Sequence, residues 1–110
     1  MGKKYRTIIS RYAEDDVIGI IEYYFSINPE FSKQLLIAVE NKICSLKTFP
    51  EQGRIVPELE KQNITDYREL IEDNYRIIYS IQEEVVFIHT IVDSRRNLED
   101  ILIKKLLRYY

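Results

Sequence analysis

Cysteine and histidine occur once each, tryptophan is absent, and glycine and proline number only three apiece. A single thiol, Cys44, excludes an intrachain disulfide, and one cysteine with one histidine cannot assemble a metal site. Cys44 lies in a helical pattern and is expected to be a small packed residue. Gly2, Gly19 and Gly53 stand far apart, so no glycine-rich loop is present to cradle a phosphate. No apolar run approaches the roughly 20 residues that a membrane span needs. Met1-Gly2-Lys3-Lys4 is not followed by the apolar stretch of a signal peptide. Arg6 stands where N-myristoylation would want Ser or Thr. These absences fit a cytoplasmic chain with no cofactor, no metal and no membrane partner. An excess of basic charge is missing too. The formal net charge is −2 and the pI near 5.5, so no global attraction draws this chain to RNA or DNA, and only a local basic patch could serve.

The residues that are present are ordinary for a globular protein: 45% apolar and 31% charged in a chain of 110. That length implies one domain, residues 1–110. Such a chain buries roughly 65% of its unfolded surface, enough for one core without staples.

Tyr5 to Ser10 reads as a first strand, with Ser10 able to cap the helix after it. From Ala13 to Ile27, Val17, Ile20, Ile21, Tyr24 and Ile27 recur at helical spacing. Glu14, Asp15 and Asp16 fall in the first turn, where they favour the helix dipole and are expected to be solvated. Asn28-Pro29 breaks this helix and opens a second, Pro29 to Lys47, striped by Phe31, Leu35, Ala38, Val39, Ile43 and Leu46. The short break makes the pair an antiparallel hairpin. Thr48 to Asn63, punctuated by Pro50, Gly53 and Pro57, reads as loop.

The densest information lies between Tyr67 and Arg96. Three runs rich in β-branched and aromatic residues, Tyr67–Glu72, Tyr75–Ile81 and Val85–Val92, are separated by the charged turns around Asp73-Asn74 and Glu83-Glu84. They predict an antiparallel meander. A last helix is expected from Asn97 to Tyr109, with Asn97 as its cap and Lys104, Lys105 and Arg108 near its end. The fold class is therefore α+β, in the order β-α-α-β-β-β-α. A small, mostly antiparallel sheet packs on the helical hairpin, and its other face is only partly covered.

Most groups able to do chemistry fall in or beside the meander. His89 occupies the most apolar strand and by alternation shares a face with Val85, Phe87 and Ile91. Its structural reading is a half-buried histidine bonded to a neighbour; its functional reading is a group on the open face. Arg54, Arg68, Arg76, Arg95 and Arg96 carry guanidinium groups suited to phosphates or carboxylates. The plainer alternative is that each pairs with Glu58, Glu60, Glu69 or Glu72. Arg68 and Arg76 lie at opposite ends of one hairpin, which does not guarantee contact.

Several segments together resemble the RelE/ParE superfamily, the toxins of bacterial type II toxin–antitoxin systems. They are Ser10-Arg11-Tyr12-Ala13-Glu14-Asp15-Asp16, Ile20-Ile21-Glu22-Tyr23-Tyr24, the loop from Phe49 to Leu59, Tyr67-Arg68-Glu69-Leu70, Tyr75-Arg76-Ile77-Ile78-Tyr79 and Asp93-Ser94-Arg95-Arg96-Asn97-Leu98. The resemblance covers nearly the whole chain. It implies one of two activities. RelE-like members are metal-independent ribonucleases that cut mRNA on the ribosome, their basic residues stabilising the phosphate while the 2′-hydroxyl attacks. ParE-like members inhibit DNA gyrase by binding it. Both are silenced by an antitoxin whose flexible segment folds onto the toxin.

The ribonuclease pattern transfers poorly. Its strand-two lysine falls on Arg68, but the next falls on Leu70, which cannot stabilise a phosphate. Its strand-three arginine matches Arg76, and its late arginine falls near Ser94 or Arg95. Its helical tyrosine falls on Asp100 or Ile101, so Tyr109 or Tyr110 would have to substitute. The Pro50–Leu59 loop, the Arg95-Arg96 turn and the long final helix are ParE-like. The leading expectation is a ParE-like plasmid-stabilisation toxin that binds DNA gyrase through some of Arg54, Arg68, Arg76, His89, Arg95 and Arg96, with no catalytic residue. The alternative is a ribosome-dependent endoribonuclease using Arg68, Arg76, Arg95 and Tyr109. A third reading is an inactive relative that only binds its antitoxin. The antitoxin is expected to supply an amphipathic helix and a strand to the hairpin and a free sheet edge. The same surface, with nine tyrosines in the chain, could drive self-association when the antitoxin is absent.

Overall fold

The computed structural model describes residues 4–96 together with 99, 100 and 104. The chain opens on β1 (Arg6–Ile9) and passes through Ser10 into α1 (Arg11–Ile27). Ser10 holds both ends of this junction: its Oγ accepts the N–H of Ala13 at 3.0 Å and donates to the carbonyl of His89 at 2.7 Å. An N-cap oxygen of this kind satisfies a donor that the first helical turn leaves unpaired. Asn28 both stops α1 and starts α2 (Pro29–Ser45): its N–H reaches Tyr24 O, and its Oδ1 accepts the N–H of Phe31 at 3.1 Å. Pro29 sits in the first turn, where its missing N–H costs nothing. The hairpin is tight because Ser32, small and buried, donates its hydroxyl to Ile21 O across the pair at 2.8 Å.

Residues 48–63, expected to be loop throughout, contain two short elements. These are β2 (Arg54–Ile55) and α3 (Pro57–Glu60). Two residues cannot display a period of two, and a single turn cannot display a stripe, so neither leaves a pattern in the sequence. The segment is drawn onto the sheet at Gly53. A Cβ there would lie 2.5 Å from Glu69 O and 2.6 Å from Tyr79 Oη. Gly53 N–H instead donates to Tyr79 Oη at 2.9 Å, and that hydroxyl donates to Pro50 O at 2.7 Å.

The meander follows as β3 (Tyr67–Glu72), β4 (Tyr75–Gln82) and β5 (Val85–Asp93). Both turns place a non-glycine residue in the left-handed region, Asp73 at φ 54° and Glu83 at φ 56°. The sheet order is β1-β5-β4-β3-β2, with β1 parallel to β5 and every other pair antiparallel. The α+β architecture therefore stands as expected, with a mostly antiparallel sheet against a helical hairpin. Of the expected final helix, Asn97 to Tyr109, residues Glu99, Asp100 and Lys104 are helical; the remainder, Tyr109 included, lies outside the described residues.

The sheet has two packed faces. Leu70, Tyr75, Ile77, Tyr79, Val86, Ile88 and Ile91 meet the hairpin residues Ala13, Leu35, Val39 and Ile43. On the other face a smaller core joins Val56 and Leu59 to Tyr67, Ile78 and Val92. Cys44, expected in the core, is exposed; the buried stripe of α2 runs through Ser32, Leu35, Val39 and Ile43, and Cys44 lies one residue off it.

Candidate functional site

The face of the sheet turned away from the hairpin carries the buried charges of the described residues. Arg76, on β4, is 6% exposed and Glu69, on β3, is 1% exposed. Arg76 Nε donates to Glu69 Oε1 at 2.5 Å, while Nη1 and Nη2 grip Glu58 Oε2 and Oε1 at 2.8 Å each. Arg54, on β2, donates to the other Glu69 oxygen, Oε2, at 2.6 Å. Two guanidinium groups and two carboxylates thus form a neutral chain linking β2, α3, β3 and β4. Its electrostatics are mutual. Hydrogen bonding from Arg76 holds the Glu58 carboxyl below its ordinary range, and although burial opposes charge on Arg76, Glu58 and Glu69 outweigh it and raise its pKa. Burying such a network is tolerable only because every member has its partner.

His89 stands on the same face beside this network. Its Nε2 lies 2.7 Å from Ser80 Oγ, and its ring meets Tyr67 edge-on at 5.2 Å between centroids. Burial lowers its pKa. Alternation alone would place Ile91 on His89's face, and here the expectation fails. Tyr79 is opposite Ile88 and Ile78 is opposite Thr90, so His89 is an extra residue in β5. The bulge keeps His89 beside Ser80 but turns Ile91 into the hairpin-side core.

The bulge is held from behind by α1. The sheet edge beyond Ile9 has no further β1 residue to pair with, and side chains take its place. Ser10 Oγ donates to His89 O, while Asp16 Oδ2 accepts the Thr90 hydroxyl at 2.6 Å and the Ile91 N–H at 2.9 Å. Asp16, expected to be solvated, is thus the acceptor that completes β5.

The remaining arginines are dispersed. Arg68 pairs with Tyr79 in register and so points to the hairpin side, opposite to Arg76; its Nη1 donates to Gly53 O at 2.7 Å. Arg95 is exposed and clasps Asp93 through Nε at 3.0 Å and Nη2 at 2.7 Å, holding the Asp93 carboxyl down to about 2. Arg96 is exposed, and its charge adds to that of Arg95 in holding the Asp93 carboxyl down. Of the residues singled out from the sequence, Arg54 and Arg76 are brought to one network and His89 to the same face. Arg68, Arg95 and Arg96 are not. Glu58 and Glu69 enter as the partners that the plainer reading of the arginines named, whereas Ser80, Tyr67 and Asp16 gave no local signal. Among the described residues, no group of three His, Cys, Asp or Glu could hold a metal ion, and no helix is long and apolar enough to cross a membrane.

Comparison with known proteins agrees with this architecture. The family profile of the ParE toxin of the type II toxin–antitoxin system, parDE, matches residues 7–98. No curated protein sequence matches significantly. Among solved structures the fold is similar to a chain of the chromosomal ParDE toxin–antitoxin system from P. aeruginosa, with a TM-score of 0.67 and 17% identity over 82% of this chain and 96% of that one. It is also similar to a chain of the toxin–antitoxin complex RelBE2 from Mycobacterium tuberculosis, with a TM-score of 0.59 and 17% identity over 82% of this chain and 98% of that one. At that identity the likeness to both structures is one of fold. The profile match spans most of the sequence, and the chain belongs to the ParE toxin family of type II toxin–antitoxin systems.

Proposed function

We propose that this ParE-family toxin acts by binding a protein target, DNA gyrase, and not by cutting RNA. A cognate antitoxin silences it. The observation that carries this reading is the condition of the three arginines a ribonuclease would need. Arg76 is buried between two carboxylates, Arg68 points to the opposite face and is spent on backbone carbonyls, and Arg95 is clasped by Asp93. A phosphate in flight needs convergent, unpaired cations aimed at one point. Leu70, where a second cation would be wanted, is buried in the hairpin-side core.

The antitoxin reading draws on the relatives, which were solved as toxin–antitoxin complexes, and on exposed apolar surface. Ile18, Phe25, Ile27 and Ile37 of the hairpin are all exposed, as are Ile8 and Ile9 on β1, the unpaired edge of the sheet. A groove of about 270 Å³ between the helices is floored by Val17, Leu36 and Val39 and rimmed by Glu14 and Glu40. Such a surface suits a partner helix and an added strand, and without the antitoxin it favours self-association. The toxin works in the cytoplasm, as one domain over residues 1–110.

Inducible expression in bacteria tests this. Growth arrest with a DNA-damage response and intact mRNA is the expected result. Arrest with mRNA cut on ribosomes would establish the endoribonuclease instead, and no arrest would mark an inactive relative.

A further inference from the structure

The open face of the sheet is covered over only part of its width. Val56, Leu59 and Ile64, in and beside α3, pack on Tyr67, Ile78 and Val92. Phe87 of β5 and Ile8 of β1 lie on the same face, because Phe87 is in register with both Ser80 and Ile8, and Val85 joins them by alternation. Among the described residues these three belong to neither packed core. Val85 and Phe87 are half-buried, and Ile8 is 42% exposed. His89 borders them, beside Ser80. Apolar side chains that adjoin on two strands form a strip, and a strip marks a contact where single exposed residues would not.

The chain itself supplies an occupant. Residues 97–110 follow the turn after β5, and most of them lie beyond the family profile, which stops at residue 98. Glu99, Asp100 and Lys104 are helical and exposed. Asp100 and Lys104 stand one turn apart and so define the outward side of a helix, which puts Leu98, Leu102, Leu106 and Tyr109 on the opposite side. The starting point is fixed as well. The N–H of Arg96 donates to Asp93 O at 3.1 Å and turns the chain back. Gln62 Nε2 then donates to Glu99 Oε1 at 3.0 Å, which holds residue 99 beside the segment that packs on Val92. The lengths agree: a helix over residues 98–109 rises about 18 Å, and β5 from Val92 back to Phe87 measures about 17 Å.

We infer that residues 98–109 lie as a helix antiparallel to β5 across the open face, with Leu102 and Leu106 seated over His89, Phe87 and Ile8. The segment is the second cover of that face, beside α3. It takes His89 out of the set of groups that a target can reach and presents Asp100 and Lys104 in its place. A second copy of the chain is the poorer occupant, because the tether at Arg96 keeps this segment at high local concentration beside the strip.

Proton NMR of the full-length chain tests this, because His89 is the only histidine and reports from the strip. Leu106→Glu puts a charge on the inward side of the segment. It should move the His89 ring resonances and raise the His89 titration toward its ordinary 6.5. Lys104→Glu, on the outward side, should change neither. Unmoved His89 resonances in Leu106→Glu would overturn the inference, and so would equal shifts in the two variants. A second measurement leaves the apolar stripe intact and serves even if Leu106→Glu does not fold. A nitroxide on Lys104→Cys, in a Cys44→Ser background, should broaden the His89 ring protons, and sharp signals would overturn the cover. Broadening that disappears when labelled chain is diluted into an excess of unlabelled chain would assign the strip to a second copy, and so overturn the inference too.

Discussion

Arg76 and Glu58 meet fork to fork, Nη1 on Oε2 and Nη2 on Oε1, each at 2.8 Å. This bond fastens α3 to the middle of the sheet, and it makes Arg76 a poor probe of activity. Replacing it with Met leaves the fully buried Glu69 carboxylate with only Arg54. Breaking one partner out of a buried pair costs about 3–5 kcal/mol, and urea unfolding of Arg76→Met should show a loss of that order. Glu69→Gln should lose less, because an amide keeps a hydrogen-bonding oxygen. Arg95→Ala is the cleaner test of target binding, since Arg95 is exposed and its removal should leave the midpoint nearly unchanged.

The single imidazole offers an unambiguous titration. Burial places the His89 pKa below its ordinary 6.5 in the folded protein. The unfolded chain therefore binds the proton more readily. The stability associated with a neutral His89 is fully present above pH 6.5, and it falls as pH drops from 6.5 through the folded value. Proton NMR should show the only histidine titrating below 6.5, and His89→Gln should flatten the decline in stability below pH 6.5. A titration at or above 6.5 would contradict the buried placement.

A second pH window belongs to Asp93. With the Arg95 guanidinium holding its carboxyl at about 2 against an ordinary 3.8, its contribution is present above pH 3.8 and disappears as pH falls toward 2. Asp93→Asn should reduce the steepness of acid unfolding in that window, remove the same small contribution at pH 7, and leave the slope of stability against pH near 7 as it is.

Gly53→Ala should be destabilising. The added methyl would collide with the backbone oxygen of Glu69, which cannot swing away, and with Tyr79 Oη. Overpacking of this kind costs about 1–3 kcal/mol, measurable by thermal melting. Because Tyr79 holds both Gly53 and Pro50, Tyr79→Phe should release the same segment and bring earlier proteolysis between α2 and β2.

The long elements were legible because their burial is periodic. Val17, Ile20, Ile21 and Tyr24 mark α1, and Leu35, Val39 and Ile43 mark α2; both sets recur at helical spacing and all reach the core. The meander was legible through its turn residues. The features that escaped have a common cause: they depend on residues distant in sequence. Nothing near His89 signals the bulge that turns Ile91 over, because an alternating run gives no sign of where its register slips. Nothing near Asp16 signals that its hydrogen-bond donors are 74 and 75 residues away. The arginines were visible as cations, but whether a cation is spent or free is decided by Glu58 and Glu69 arriving from other elements. Asp16→Ala shows how much rides on one such distant contact: it removes the acceptor of the Ile91 N–H, at a cost of about 1–3 kcal/mol for a buried donor left unsatisfied, and amide exchange at Ile91 should accelerate with it.

The parallel pairing of β1 with β5 also orders events during synthesis. Arg6 to Ile9 lie beside Val85 to Ile88, so the first strand leaves the ribosome long before its neighbour is made. The helical hairpin, whose contacts are local, can form meanwhile and must wait with its sheet-facing side uncovered. Closure of the fold is thus timed by translation of the last strand. The sheet of a nascent toxin is complete only once residues 85–93 have been made, and until then its unclosed half is open to capture by whatever binds the hairpin first.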